Sequence, residues 1–231
     1  MENEAKKKMF ILGDSILKGV TFDQDANGGK GKYRICGHGE FDALADRGLT
    51  VVNRSRMGAT LAYADGNIAK LVLPDEKADC LLIEYGGNDC DYDWKAVSDN
   101  PDGMYEPKTK PELFGQIYRR FICSLRSKHG NVAVTNLPPI DADKMFAHIS
   151  IGLCADNILR WLGDVGMLYR WQEYYNTIVE KTAEECGVRC IDIRSCFLRS
   201  RNYRDLISGD GIHPTEEGHR LIRAEIVKAI V

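Results

Sequence analysis

Five short runs of apolar residues recur along the chain, and most are followed by a stretch with helical spacing. The runs are Met9–Leu12, Leu49–Val52, Cys80–Tyr85, Asn131–Thr135 and Val188–Ile193. They are continuous rather than alternating, the pattern expected of strands buried on both faces. Between and after them, residues 60–72, 110–130, 169–187 and 214–231 space their apolar side chains as helices do. Gly130 and Gly187 are expected to stop two of these helices, and Pro214 to sit near the first turn of the last. This alternation limits the fold more than any other feature. It predicts an α/β architecture, a parallel sheet with helices on both faces and crossovers long enough for βαβ units. Two stretches do not fit. Residues 21–39 read as a Gly-rich loop, and residues 140–168 as an insertion whose apolar clusters either form helices that cap one end of the sheet or meet a second subunit. A length of 231 residues suits one domain over residues 1–231.

Composition excludes some functions. A net charge of -3 leaves no basic footprint for nucleic acid, and the run Lys6-Lys7-Lys8 is too short to be one. No stretch reaches the ~20 apolar residues of a membrane span. The opening "MENEAKKKMF" lacks the apolar core of a signal peptide. None of the eight cysteines forms a C-x-x-C pair, and several lie in strand-like runs, as reduced thiols do. The expectation is therefore a cytoplasmic protein without nucleic-acid or membrane partners, with secretion left open if the start has been trimmed. Cys186, Cys190 and Cys196 match no common zinc spacing. Asp89, Asp91 and Asp93 open like a calcium loop, but Trp94 stands where the loop needs Gly and Asn100 where it needs Glu. No metal site is expected. The "GGKGK" run, residues 28–32, matches neither phosphate-binding glycine pattern.

In open parallel sheets, ligands bind outside the carboxyl ends of the strands. Gly13-Asp14-Ser15 follows the first run. Asn53 and Gly58 follow the second. "YGGND", residues 85–89, ends the third, and Asp210 and His213 lie in the loop beyond the last. This is the inventory of acyl transfer. Serine is a weak nucleophile until a base takes its proton. His213 supplies a base, and Asp210 a carboxylate to fix its tautomer. The backbone N–H groups of Ser15 and Gly58 and the amide of Asn88 offer donors to an oxyanion. An Asp at position 88 would lack the donors and repel the charge.

The blocks "GDS", Gly58, "GGND" and "DGIH", in that order, resemble the four blocks of the SGNH (GDSL) hydrolase family. The resemblance spans residue 9 to about residue 220. It implies a flavodoxin-like three-layer α/β/α sandwich with a five-stranded parallel sheet. It implies ester hydrolysis through an acyl-enzyme, without metal or organic cofactor. It assigns Ser15 as nucleophile, His213 as base, Asp210 as orienting acid, and Ser15, Gly58 and Asn88 as the oxyanion hole.

Other residues have plainer readings. Ser15 alone reads as an N-cap. Asp14 and Asn53 are expected to shape turns beside the site, where they also count as candidate substrate contacts. Tyr92 and Trp94 follow "GGND" directly, and Trp161, Tyr169 and Trp171 lie in or beside the insertion. Their rings suit sugar stacking, an acyl pocket, or packing against the sheet edge. His219 is expected at the surface or in packing. His38, His129 and His148 belong to no local cluster. With no apolar tunnel visible in the sequence, the expected substrate is a small-molecule ester with a small acyl group, such as acetyl on a carbohydrate. The rival readings are a lysophospholipase or thioesterase whose insertion covers a longer chain, and a non-catalytic binding protein on the same fold.

Overall fold

The computed structural model describes residues 7–37, 39–73 and 75–230. Lys6 and His38 lie outside the described residues. Seven strands form among those described: β1 (Lys7–Gly13), β2 (Val20–Asp23), β3 (Lys32–Ile35), β4 (Leu49–Asn53), β5 (Cys80–Glu84), β6 (Asn131–Thr135) and β7 (Arg189–Ile191). Five pair in parallel in the order β4-β1-β5-β6-β7. Counting only these five, the order is 2-1-3-4-5, that of a flavodoxin-like doubly wound sheet. The chain reverses its direction of travel across the sheet at β1. The crevice this opens lies at the carboxyl ends of β1 and β5.

The continuous apolar runs have a simple cause. In β1, Phe10 and Leu12 join one buried cluster, while Met9 and Ile11 join the cluster on the opposite face. In β5, Leu81 and Ile83 go one way and Leu82 the other. The helix Pro111–Arg126 covers the first face with Phe114, Ile117, Tyr118, Phe121, Ile122 and Leu125, which recur every three or four residues. The helix Glu216–Ile230 covers the second with Ile222 and Ile226. Truncating a ring such as Phe114 or Phe121 to Ala costs about 3–5 kcal/mol in such a core.

Several sequence expectations are corrected. Residues 21–39 are not a loop throughout: β2 and β3 pair antiparallel as a hairpin. Its Gly-rich tip carries the left-handed backbone of Asn27, Gly28, Gly29 and Gly31. The expected helix over 60–72 breaks at Asn67 into Leu61–Gly66 and Ile68–Leu71. Gly130 does not cap the helix Pro111–Arg126. A side chain there would lie 2.6 Å from the carbonyl oxygen of Asp79, so glycine permits a close backbone crossing. Gly187 does take a left-handed conformation (φ 60°) just beyond the helix Gly166–Glu185, and its N–H donates to Glu184 O.

Residues 140–168 form the helices Ala142–Ile149 and Ala155–Leu162 and the start of Gly166–Glu185. The short helix Trp94–Asp99, capped by Asp93, joins them. Together they bury a third cluster around Val97, Ile140, Ile158, Leu162 and Leu168. This cluster roofs the carboxyl end of the sheet. No described helix is long and apolar enough to cross a membrane.

Candidate active site

The strand β1 hands over to a one-turn helix, Ser15–Lys18. Gly13 makes the handover possible. A Cβ there would lie 3.1 Å from each of Glu84 O, Leu17 Cβ and Ser55 Oγ. Asp14 is the N-cap, its Oδ1 accepting from the Ile16 amide at 2.8 Å. Ser15 is therefore the first residue of a helix, where backbone N–H groups lack intrahelical partners.

Ser15 meets two residues from the far end of the chain. Its Oγ is 2.8 Å from His213 Nε2, and His213 Nδ1 is 2.6 Å from Asp210 Oδ2. The carboxylate can only accept, so Nδ1 carries the proton and Nε2 is left to accept from the serine. Asp210 is fully buried. Its Oδ1 accepts from the amides of Ile212 (3.1 Å) and His213 (3.0 Å) and from the Ser208 hydroxyl (3.1 Å). Burial pushes this carboxyl up, but the His213 ring and the two amides outweigh it and hold it below the usual carboxylate value. The loop that carries the pair is clamped beneath the cap. Arg204 forms a bidentate ion pair with Asp141, at 2.7 and 2.8 Å, and the Asp141 amide donates to Gly211 O. Gly211 has φ 76°, and a Cβ there would strike Met145 N and Asp141 O.

Two further strand exits converge on Ser15. After β4 the chain keeps following β1, with Arg54 N donating to Ile11 O and Arg56 N to Gly13 O. This brings the Gly58 turn (φ 75°) to the serine. After β5, Asn88 Nδ2 donates to Asp14 Oδ2 at 2.9 Å and to Ala59 O at 3.2 Å. Asp89 holds the two turns together. It accepts from Leu61 N through both oxygens (3.1 and 2.9 Å) and from Thr109 Oγ1 (2.7 Å). Burial raises its pKa to about 6 despite those bonds.

A cavity of about 250 Å³ opens beside Ser15 and runs under the cap. Ser15, Gly58, Asn88 and His213 contribute to its wall. Tyr92 and Trp94 line it, with Trp161, Trp171, Leu168 and Met167. The aromatic rings pack edge to face, Tyr92 against Trp161 at 4.9 Å and Trp94 against Trp161 at 6.2 Å. Polar groups in the wall are mostly engaged. Gln172 donates to Pro138 O, and Asp91 accepts from Trp94 Nε1 and Lys108.

Asn53 does not line the cavity. Its amide donates to Leu17 O at 2.7 Å and its oxygen accepts from Ser55 N at 2.9 Å, which braces the loop after β4. Asp14 does border the cavity, but both its oxygens serve protein groups. His219 is buried with Nε2 on Val20 O at 2.7 Å, and His129 packs by the Ala78 amide. His148 lies 3.3 Å from the hydroxyl of Tyr33, whose ring stands edge-on to His213 at 5.3 Å. The hairpin thus reaches the site, and nothing local in the sequence singles out Tyr33. Among the described residues, no group of three or more His, Cys, Asp or Glu side chains comes together to hold a metal.

The doubly wound sheet and the histidine-bound serine at its crevice have the arrangement of an acyl-transferring α/β enzyme. Comparison with known proteins places the chain more closely: it belongs to the GDSL-like lipase/acylhydrolase family, whose model matches residues 11–221. Solved structures share the fold. A lipase/acylhydrolase from Enterococcus faecalis superposes with a TM-score of 0.67 at 17% identity, covering 97% of this chain and 95% of its own. LAE5, an alpha/beta hydrolase from the metagenome of Lake Arreo, gives 0.67 at 18%, covering 97% and 95%. Axe2, an acetylxylan esterase from Geobacillus stearothermophilus, gives 0.67 at 18%, covering 100% and 96%. No curated protein matches the sequence.

Proposed function

We propose that the protein hydrolyses carboxylic esters through an acyl-enzyme on Ser15. The observation that carries the proposal is the unbroken contact from Ser15 Oγ to His213 and on to Asp210. His213 Nε2 takes the serine proton as Oγ attacks the acyl carbon. The amides of Ser15 and Gly58 and the Asn88 side chain donate to the developing oxyanion, and Asn88 gives up its weaker bond to Ala59 O to do so. Collapse expels the alcohol, protonated by His213. Water, activated by the same histidine, then frees the acid.

We further propose that the acyl group is apolar and longer than acetyl. A methyl group is about the size of a water, which needs ~10–15 Å³ of such cavity space, and it would leave most of the 250 Å³ unfilled. An apolar chain would bury against Trp171, Leu168 and Met167 at roughly 0.8 kcal/mol per methylene. A sugar needs several convergent polar groups, and those in the wall mostly serve protein partners. Similarity to Axe2, an acetylxylan esterase, favours the acetyl reading. The wall of this cavity favours the longer chain. A p-nitrophenyl ester series from acetate to laurate decides between them. The expected result is a kcat/KM that rises beyond butyrate. A maximum at acetate overturns the longer-chain reading.

A further inference from the structure

A second acidic residue lies directly beneath the nucleophile turn. Glu84 ends β5 and is fully buried, at the inner wall of the cavity. Its Oε2 faces the Asp14 amide at 3.5 Å, and the two buried carboxyl groups are close enough to interact electrostatically. Its Oε1 is equally buried, and no hydrogen-bond donor is aimed at it. A carboxylate oxygen without a donor in a dry site is costly. An oxygen that carries a proton and points it at a neighbouring acceptor is not. Two buried carboxyl groups this close cannot both be charged without a large penalty, so one proton belongs to the pair.

The surroundings say which residue keeps it. Asp14 has the donors of an anion: the Ile16 amide on Oδ1 and the Asn88 amide on Oδ2, with His213 within electrostatic reach. Glu84 has only the long contact to the Asp14 amide and the amide of Leu17. Burial and the charge of Asp14 both push the Glu84 carboxyl well above its ordinary value. Burial raises Asp14 as well, against the bonds that favour its charged form.

We propose that Glu84 is a positioning residue of this site: its carboxyl donates a hydrogen bond to Asp14 and fixes the carboxylate that holds both the Ser15 turn and the Asn88 amide. Through Asp14, one proton sets the direction of the nucleophile turn and of one oxyanion donor. The inference rests on the esterase reading for its kinetic effect but not for its protonation state.

The test uses Glu84→Gln and Glu84→Met in the full chain, with kcat and KM for p-nitrophenyl butyrate and thermal unfolding of each. Glutamine keeps the shape and a donor toward Asp14. It is expected to hold kcat within about threefold of wild type. Methionine keeps the length without a donor. It is expected to lower kcat by about 10²-fold, the scale of a misdirected oxyanion donor, with KM nearly unchanged. A methionine variant as active as wild type, or a glutamine variant as impaired as methionine, overturns the proposal. Carbon-13 NMR of glutamate-labelled wild type gives a second readout, with the Glu84 carboxyl assigned by its absence in Glu84→Gln. The expected shift at pH 7 is that of a neutral acid, and a carboxylate shift overturns the proposal. If wild-type turnover persists in Ser15→Ala, the nucleophile reading fails by itself and the NMR result still decides where the proton is.

Discussion

Replacing Asp210 with Asn changes one atom and is expected to disable the relay. In the wild type, Oδ1 accepts from two backbone amides and a hydroxyl, and Oδ2 accepts from the imidazole at 2.6 Å. Asparagine has one acceptor oxygen. The two amides of Ile212 and His213 cannot turn away, so the oxygen takes the Oδ1 position and the NH2 group faces His213 Nδ1. That ring nitrogen must then accept, which moves the imidazole proton to Nε2. Nε2–H points at Ser15 Oγ, 2.8 Å away, and cannot take its proton. The wrong tautomer in such a relay costs about 10⁴-fold in kcat, or ~5 kcal/mol at 1.36 kcal/mol per tenfold. The assay is p-nitrophenyl butyrate hydrolysis by wild type and Asp210→Asn, with circular dichroism to show that both are folded. A folded Asp210→Asn enzyme within tenfold of wild type would mean that Asp210 does not set the His213 tautomer.

The same residue predicts a pH effect on stability. Its folded pKa is depressed, so it adds stability above the unfolded value of about 3.9, and that stability is lost as pH falls through the folded value. Urea titrations from pH 6 to pH 2.5 should show wild type losing more stability than Asp210→Asn below about pH 4, and parallel curves would contradict this. Gly58→Ala meets no atom within 4 Å, so any effect comes from the backbone at φ 75°. A left-handed alanine costs roughly 1–2 kcal/mol. Relaxation of that strain turns the amide away and should cut kcat by about 10–10²-fold with little change in KM, whereas an unaltered kcat would remove Gly58 from the oxyanion hole.

What the sequence reveals of this protein depends on how local the signal is. The strands are legible because both faces of the sheet are buried, which leaves unbroken runs such as Phe10–Leu12 and Leu81–Ile83. Ser15, Asp210 and His213 are legible as a candidate site because each sits in a short block, Ser15 at the exit of β1 and the other two in the loop before the last helix, and the fold brings the blocks into contact. The hairpin is not, because "VTFD" and "KYRI" are mixed polar segments whose pairing depends on a glycine tip rather than on an apolar pattern. The cavity is not, because its wall is gathered from residues as far apart as Ile16 and Ile212, with no continuous run to mark it. Glu84 does leave a sign: a lone acid inside the apolar run "CLLIEY" is rarely buried without a task. Asp89 has the spacing of a calcium ligand, but its oxygens hold Leu61 N and Thr109, a role only the tertiary contacts show.

Ester hydrolysis in this site depends on attack by Ser15. That dependence is tested most directly by hydrolysis of p-nitrophenyl butyrate with wild type and Ser15→Ala at matched folding, followed by mass spectrometry of the wild type quenched during turnover. Turnover is expected to vanish in the variant, and the wild type is expected to carry a butyryl group on the peptide containing Ser15. Equal turnover in both proteins, or a butyryl group on any other residue, would contradict attack by Ser15.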